Sequence, residues 1–126
     1  MTIGTLAQEA NVSVETVRYY QRVGLLEEPP KPTTGYRIYP SKALDQLLFI
    51  RRAKSFGFSL ADIGSLLKLG QSEESCQSAC ALAEKNLLMI KERKRELDEL
   101  EAQVSGLLER CQSSSGCAVL KALGTA

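Results

Sequence analysis

The chain contains no histidine and no tryptophan among its 126 residues. Histidine is the commonest general base near neutral pH and the commonest metal ligand in proteins, so its absence argues against histidine-dependent catalysis and against a metal site that mixes nitrogen and sulfur. Any chemistry has to use sulfur or carboxylate groups. A thiol-based enzyme or a metal-carrying chaperone would need an activated cysteine near a base, and we find no such constellation. We therefore expect no enzyme.

Long apolar runs are also missing, because no stretch approaches the roughly 18 residues that a membrane span requires. Glu9 and Glu15 interrupt the N-terminal region where a signal peptide would need to be apolar. We expect a cytoplasmic protein without a membrane partner. In a reducing compartment its four cysteines are expected to act as thiols, metal ligands or redox sensors and not as structural disulfides.

The chain as a whole has the composition of an ordinary globular protein, with 44% hydrophobic and 25% charged side chains. This predicts one small folded domain with an appendage. Residues 1 to 70 carry 9 Lys and Arg against 6 Asp and Glu, whereas residues 71 to 126 carry 7 against 9. We predict a basic first domain over 1–70, suited to a polyanion, and an acidic second region over 71–126.

Two short helices are predicted at the start of the chain. In residues 2 to 10 the apolar side chains recur at helical spacing, and Thr2 can serve as the N-cap of this helix. Ser13 can cap a second helix, which ends at Gly24. A tight turn at Asn11 joins them. Two helices in this order, the second ending in basic and aromatic side chains, are typical of a helix-turn-helix.

The next segment, residues 27 to 40, contains all four prolines and cannot be helical. Tyr36 to Tyr39 alternate as a short strand should, which predicts a small wing. Two further helices are expected. The first is capped by Ser41 and runs to about Phe56, and the second is capped by Ser59 and runs from Leu60 to Leu69.

A single long helix is predicted from about Cys76 to Arg110, followed by one short turn at residues 118–123. Its apolar residues at heptad spacing are Ile90, Leu97, Leu100, Val104 and Leu107. A helix of some 30 residues spans about 45 Å, too long to be covered by the first domain. This apolar stripe of residues at heptad spacing has to be covered by another surface. A second copy of the helix is the simplest such surface, which predicts a homodimer.

The segments Glu15 to Tyr20 and Gly35 to Tyr39 combine arginine, threonine and tyrosine, whose side chains suit phosphates and base edges. The alternative interpretation of these segments is a solvated helix face with core tyrosines. A neighbouring wing favours nucleic-acid binding over that alternative.

These segments also carry a resemblance to a known family. The matching stretches are Ile3 to Ala10, Val14 to Tyr20, Gly24 to Leu26, Gly35 to Tyr39 and Gly57 to Ile63. In this order they resemble the MerR family of bacterial transcription regulators over essentially the whole chain. The resemblance implies a mainly α-helical fold, in which a winged helix-turn-helix DNA-binding domain is followed by a long antiparallel coiled-coil dimerisation helix. By position it implies DNA-binding roles for Thr16, Arg18, Tyr19, Tyr20, Tyr36, Arg37 and Tyr39.

The four cysteines lie at the two ends of the long helix, about 50 Å apart along one chain. Cys76 and Cys80 are at its start, and Cys111 and Cys117 bracket a loop at its end. If two helices run antiparallel, Cys76 approaches Cys111 and Cys117 of the partner subunit. Thiolates select soft, thiophilic ions. We expect Cys80 to be an ordinary small buried side chain.

Mercury sensors of the family bind Hg(II) through three cysteines, and by position the resemblance implies Cys76, Cys111 and Cys117 as the ligands here. The loop between the last two is shorter than in mercury sensors and Cys80 is an additional thiol, so Cd(II), Pb(II) and Zn(II) stay open. A thiol redox sensor, with a disulfide between Cys111 and Cys117, is the alternative of the same fold.

The leading hypothesis is a metal-responsive regulator whose homodimer occupies a palindromic operator in double-stranded promoter DNA. Binding of the ion shifts the dimer between two states and distorts the DNA, so that RNA polymerase engages both promoter elements.

Overall fold

The computed structural model describes residues 1–70, 72–113 and 116–124, and these form six helices. They are α1 (Ile3–Ala10), α2 (Val14–Arg22), α3 (Ser41–Ser55), α4 (Leu60–Leu67), α5 (Glu73–Ser113) and α6 (Ala118–Ala122). The predicted order of helices is confirmed, and α5 is longer at both ends than the heptad pattern indicated.

Internal contacts divide the chain into two units, Met1–Ala83 and Glu84–Ala126, with the boundary inside α5. The start of α5 therefore packs with the N-terminal helices. A division into domains over 1–70 and 71–126 stays a prediction.

Three of the helices begin at the side-chain caps that the sequence predicts. Thr2 Oγ1 accepts from the N–H of Thr5 (3.2 Å), and Ser13 Oγ accepts from the N–H of Thr16 (3.0 Å). In the same way Ser59 Oγ accepts from Asp62 (3.2 Å) and caps α4. Each bond satisfies a backbone donor that the first helical turn leaves unpaired.

The predicted cap of α3 is wrong. Ser41 is its first helical residue, and Pro40 occupies the N-cap position without a side-chain hydrogen bond. Pro40 has an extended backbone with φ of −72°. The chain therefore turns into the helix at the carbonyl of Pro40, which accepts from the N–H of Ala43 at 3.0 Å.

The first three helices share one way of ending. Asn11, Gly24 and Gly57 follow them with φ of 56°, 82° and 87°, a left-handed conformation that asparagine and glycine adopt most readily. In each case the next residue donates its N–H to a carbonyl five positions back, and the three bonds are Val12 to Ala7, Leu25 to Tyr20 and Phe58 to Ala53. These bonds satisfy carbonyls at the helix ends and fix where each helix stops.

The core of the first unit lies where α1 packs against α2 and α3, and α3 packs against α4. Its large and fully buried side chains are Leu6, Val17, Leu47, Ile50 and Ile63. Arg51 fixes α1 to α3, because its Nη1 donates to the carbonyl of Ala10 at 2.9 Å. A cation at the carbonyl end of a helix also opposes the negative end of the helix dipole.

The segment between α2 and α3 differs from its prediction. No strand forms within residues 1–70, 72–113 and 116–124, so the strand over Tyr36–Tyr39 is wrong. Tyr39 does exchange two backbone hydrogen bonds with Met1, at 2.7 and 2.9 Å. The pairing stops there, because the next hydrogen-bonded pair of an antiparallel ladder would join Arg37 to Ile3, which is already the first residue of α1. A wing stays a prediction.

The second unit contains the rest of α5 together with α6. Apolar side chains of the heptad stripe are exposed, including Leu97 (63%), Leu100 (54%) and Val104 (54%). Arg95 forms ion pairs with Glu92 and Glu99 on the surface of the same helix. Among the described residues, no helix combines the length and the apolar character that crossing a bilayer requires.

Candidate nucleic-acid interface and metal centre

The end of α2 and the segment that precedes α3 meet in one surface depression of about 340 Å³. Its polar lining consists of Arg18, Gln21, Arg22, Glu28, Tyr36, Arg37 and Tyr39. The two segments that the sequence singled out for nucleic acid are therefore neighbours. Three arginines against one glutamate make the depression positive, which suits a phosphate backbone.

The most accessible aromatic groups flank this depression. Tyr36 is 83% exposed and Tyr19 is 38% exposed. The guanidinium carbon of Arg22 lies 5.7 Å from the centre of the Tyr19 ring, within the range of a cation–π contact. Arg18 is exposed one turn before Arg22. These four side chains can reach a duplex without any change in the core.

Two of the predicted DNA-binding tyrosines lie in the core. Tyr20 is 4% and Tyr39 3% exposed, and the Tyr39 hydroxyl accepts a hydrogen bond from the side-chain amide of Gln21. Both rings pack the helix-turn-helix together, and their role in DNA contact stays a prediction. Thr16 is half-buried, and its hydroxyl is 2.8 Å from that of Ser13, inside the cap of α2.

Arg37 is held in place by its own chain. Its Nη2 is 3.0 Å from Oε1 of Glu28, and its Nε donates to the carbonyl of Pro29 at 3.0 Å. The guanidinium group is thus oriented before any ligand arrives, with part of its charge balanced by Glu28.

The cysteines form two thiol pairs. Sγ of Cys76 lies 4.0 Å from Sγ of Cys80, and Sγ of Cys111 lies 3.9 Å from Sγ of Cys117. Two thiolates on one ion, with metal–sulfur bonds of about 2.3 Å and angles between tetrahedral and trigonal, are about 3.8 to 4.0 Å apart. Each pair therefore has the separation that a two-sulfur chelate requires. Cys80 is exposed, so its expected burial is wrong.

The surroundings of Cys111 favour its thiolate form. The largest effect is a hydrogen bond from the backbone N–H of Val119, which lowers the pKa of Cys111. Hydrogen bonds with Cys117 and the N–H of Ala118, and the charge of Arg110, lower this pKa further, whereas partial desolvation raises it. The donors belong to the first turn of α6, whose N–H groups favour negative charge. The thiolate form, which binds metal, is favoured at this position.

Neither pair completes a metal site by itself. Within residues 1–70, 72–113 and 116–124 of one chain, no three Cys, His, Asp or Glu side chains come together as a metal-binding group. The donor chemistry fits a soft ion, and a closed sphere of three sulfurs needs a donor beyond Cys111 and Cys117.

Family models match both parts of the chain. The model described as MerR HTH family regulatory protein matches residues 1–69, and the model described as MerR, DNA binding, matches residues 44–107. The chain belongs to the MerR family. As the sequence predicts, it is a transcription regulator and not an enzyme.

Individual MerR-family proteins are similar over nearly the full length. A mercuric resistance operon regulatory protein from Pseudomonas fluorescens is 40% identical over 116 residues, which is 92% of this chain and 80% of the relative. The lead(II) complex of the regulator PbrR691 from Ralstonia metallidurans CH34 is 32% identical, with a TM-score of 0.80 over 98% of this chain and 99% of that one. The mercury(II) complex of MerR from Bacillus megaterium MB1 is 29% identical, with a TM-score of 0.73 over 99% and 100%. The predicted arrangement of a helix-turn-helix and a long helix is confirmed.

Sequence reasoning left three residues out of the candidate DNA surface. Gln21, Arg22 and Glu28 line the same depression as the predicted arginines. A signal for Arg22 was present, because it follows Arg18 by four positions and Tyr19 by three, which places all three on neighbouring parts of a helix surface. Glu28 lies in an irregular segment, where spacing carries no such information.

Proposed function

We propose that this MerR-family regulator senses a thiophilic metal ion, with Hg(II) as its effector, and activates transcription from a promoter that its homodimer binds. One observation carries the proposal: Cys111 and Cys117 hold their sulfur atoms 3.9 Å apart, the separation of a two-sulfur chelate. Similarity to a mercuric resistance regulator and to mercury- and lead-bound relatives supports it.

The third ligand in this proposal is Cys76 of the partner subunit. Thiols at opposite ends of a long helix meet when two such helices run antiparallel, and the exposed stripe with Leu97 and Val104 on α5 supplies the surface for that pairing. Each dimer then has two identical sites with thiolates from both chains. Because sulfur alone does not rank soft ions, Cd(II), Pb(II) and Zn(II) are the alternative effectors.

The DNA-binding part of the proposal uses the depression at the end of α2. Arg18, Arg22 and Arg37 contact phosphates or guanine edges, and the exposed Tyr19 and Tyr36 support them. A symmetric dimer presents two such surfaces and therefore matches a palindromic operator. The ion biases the dimer toward a state that distorts the duplex for RNA polymerase, in the cytoplasm where the promoter lies.

The test combines metal titration with mixed dimers. Thiolate-to-metal absorption of the reduced protein is followed with Hg(II), Cd(II), Pb(II) and Zn(II) in competition, and we expect one ion per protomer. Cys111→Ser should abolish this binding and the response in a transcription assay, whereas Ala81→Ser, which introduces serine at an exposed position outside the proposed ligand set, should leave both unchanged. If Cys111→Ser still activates at the same Hg(II) concentration, the proposed site is wrong.

Mixed dimers test whether ligands come from both chains. When one subunit carries Cys76→Ser and the other Cys111→Ser, a site shared between subunits leaves one of the two sites intact, and one ion binds per dimer. Ligands from a single chain would leave none, because each chain then lacks one of its own donors.

A thiol redox sensor is the second candidate, favoured by the same 3.9 Å separation. A modest approach of Cys111 and Cys117 would bring their sulfurs to the roughly 2.05 Å of a disulfide. With hydrogen peroxide as oxidant, two thiols lose two electrons and two protons while the peroxide is reduced to water. This function predicts the loss of two titratable thiols per protomer, without metal, together with altered promoter binding.

A further inference from the structure

We infer that Cys80 is a fourth sulfur ligand, which expands the proposed metal site from three thiolates to four and sets its preference among ions. The inference rests on the proposed function, since Cys80 acts only through a site that contains Cys76. It assigns a role to the one cysteine that the three-ligand site leaves unused.

The first argument is the geometry of the second thiol pair. Cys76 and Cys80 are four positions apart on α5, so both project from the same face of the helix. Their sulfur atoms are 4.0 Å apart and both residues are exposed. An ion bound to Cys76 therefore finds a second sulfur at chelating distance on the same helix turn, without a change in the backbone.

The second argument is the surroundings of this pair. Cys76 lines a depression of about 360 Å³ and Cys80 an adjoining one of about 430 Å³, and the two share Phe49, Leu66 and Ala79. The linings are largely apolar, and among the described residues they include no histidine, aspartate or glutamate. The oxygen donors of the lining at Cys76 are the hydroxyls of Ser72 and Ser75, which are harder ligands than a thiolate, so a soft ion at Cys76 prefers the sulfur of Cys80 as its further donor.

The third argument is charge. Three thiolates around a divalent ion leave a net charge of −1, and a fourth thiolate makes it −2. Arg52 lines the same depression as Cys80 and supplies a positive charge at that edge. The additional negative charge is thus partly balanced where Cys80 would bind.

Four thiolates favour particular ions. Zn(II) in structural sites is four-coordinate and tetrahedral, and Cd(II) accepts the same sulfur set, whereas Hg(II) is satisfied by fewer thiolates. Cys80 therefore strengthens binding of tetrahedral ions and contributes little to Hg(II). Each thiol that binds releases a proton, so the four-sulfur site also gains affinity more steeply as the pH rises.

The experiment compares Cys80→Ser and Cys80→Ala with wild type and with Ala81→Ser, after circular dichroism has shown that all four are folded. Cd(II) and Hg(II) affinities are measured by competition, and cadmium NMR reports the number of sulfur ligands. Loss of Cys80 should weaken Cd(II) binding at least about tenfold and move the cadmium resonance toward a three-sulfur environment, with Hg(II) affinity changed less than about threefold.

Unchanged Cd(II) affinity and resonance in both Cys80 variants would overturn the inference, and so would equal losses for Cd(II) and Hg(II). Failure of the proposed function has a different signature, because Cys76→Ser and Cys111→Ser would then retain full ion binding. The two failures are therefore separated by the same set of titrations.

Discussion

In the proposed function, single residues determine how strongly the α2 surface attracts DNA. Arg18 and Arg22 are exposed one helical turn apart, with Arg22 placed against the ring of Tyr19. Arginines in such positions contribute a salt-sensitive attraction to phosphate, because each contact releases condensed counterions from the duplex.

We predict that Arg18→Ala and Arg22→Ala each weaken promoter binding and lower the salt dependence of the binding constant by about 0.9 per lost phosphate contact. Fluorescence anisotropy over a range of KCl concentrations measures both effects. Lys91→Ala on α5 removes the same charge outside the depression and should change neither. A salt slope equal to wild type in Arg18→Ala would exclude it as a phosphate contact.

At Cys111 the local hydrogen bonds predict a pH effect. Its pKa is lowered chiefly by the N–H of Val119, so alkylation by iodoacetamide should rise with pH at a midpoint below that of the urea-unfolded chain, where cysteine titrates near about 8.5. Peptide mapping of the metal-free, reduced protein follows Cys111 alone. Since the fold favours the thiolate, Cys111 contributes to the stability of the folded chain at a pH above its unfolded pKa. This contribution is lost as the pH falls through the lowered pKa of the folded state.

Val119→Pro provides the matched variant. Proline removes the donating N–H, and it is tolerated in the first turn of a helix such as α6. The alkylation midpoint of Cys111 should then move toward the unfolded value. Identical profiles for folded wild type and unfolded chain would show that these hydrogen bonds do not stabilise the thiolate.

What the sequence could reveal at this scale is illustrated by Tyr19 and Tyr20. Neighbouring residues on a helix point about 100° apart, so the two rings could not share one environment. Both were predicted to contact DNA, but the structure buries Tyr20 (4% exposed) and leaves Tyr19 38% exposed. The signal was present, because Tyr20 follows the apolar Val17 by three positions and therefore lies on the same helix face. The exposure of Cys80 could not be predicted, because it depends on how closely α3 and α4 approach α5.

At the scale of helices, capping residues explain why the boundaries were predictable. Ser13 begins α2, and Asn11, Gly24 and Gly57 end three helices through one hydrogen-bond pattern. These are local interactions, and local interactions can be recognised within a few residues of sequence. The strand at Tyr36–Tyr39 was mispredicted because a strand needs a hydrogen-bonded partner, which alternation of side chains does not supply.

Ser13→Ala should destabilise the protein by about 1 kcal/mol, because the N–H of Thr16 loses its acceptor at the start of α2. Urea unfolding followed by circular dichroism measures the free energy of unfolding. Ser65→Ala is the control, since its hydroxyl donates only to the carbonyl of Ala61 within α4, and it should stay within about 0.5 kcal/mol of wild type. Equal stability of wild type and Ser13→Ala would show that the cap contributes nothing.

At the scale of the whole molecule, the exposed stripe of α5 is the feature that supports the proposed homodimer. Leucines and valine that are more than half exposed on a charged helix leave apolar surface in water, and an equivalent stripe on a second copy buries it. The sequence predicted this stripe from its heptad spacing. The partner itself is a property of two chains, so no pattern within one chain could define its orientation.

Leu97→Glu should dissociate the dimer. Each leucine side chain buried at an interface contributes about 1.5 to 3 kcal/mol, and a symmetric dimer loses two, which lowers the association constant more than about a hundredfold. Sedimentation at micromolar concentration measures the change. Lys91→Glu introduces the same side chain at an exposed position that does not flank the stripe and should remain dimeric. A Leu97→Glu dimer of wild-type affinity would exclude the stripe as the interface.

The ion pair between Arg37 and Glu28 has one more consequence. If Arg37 contacts a phosphate as proposed, it has to exchange one anion for another, because the carboxylate of Glu28 already pairs with its guanidinium group. Breaking the ion pair with Glu28 offsets part of the attraction between Arg37 and any duplex. A phosphate that reaches Arg37 in the correct register replaces the lost ion pair with a new one. Under the proposed function, Glu28 is thus an internal competitor of the phosphate, and we expect it to raise selectivity by weakening non-specific binding to DNA.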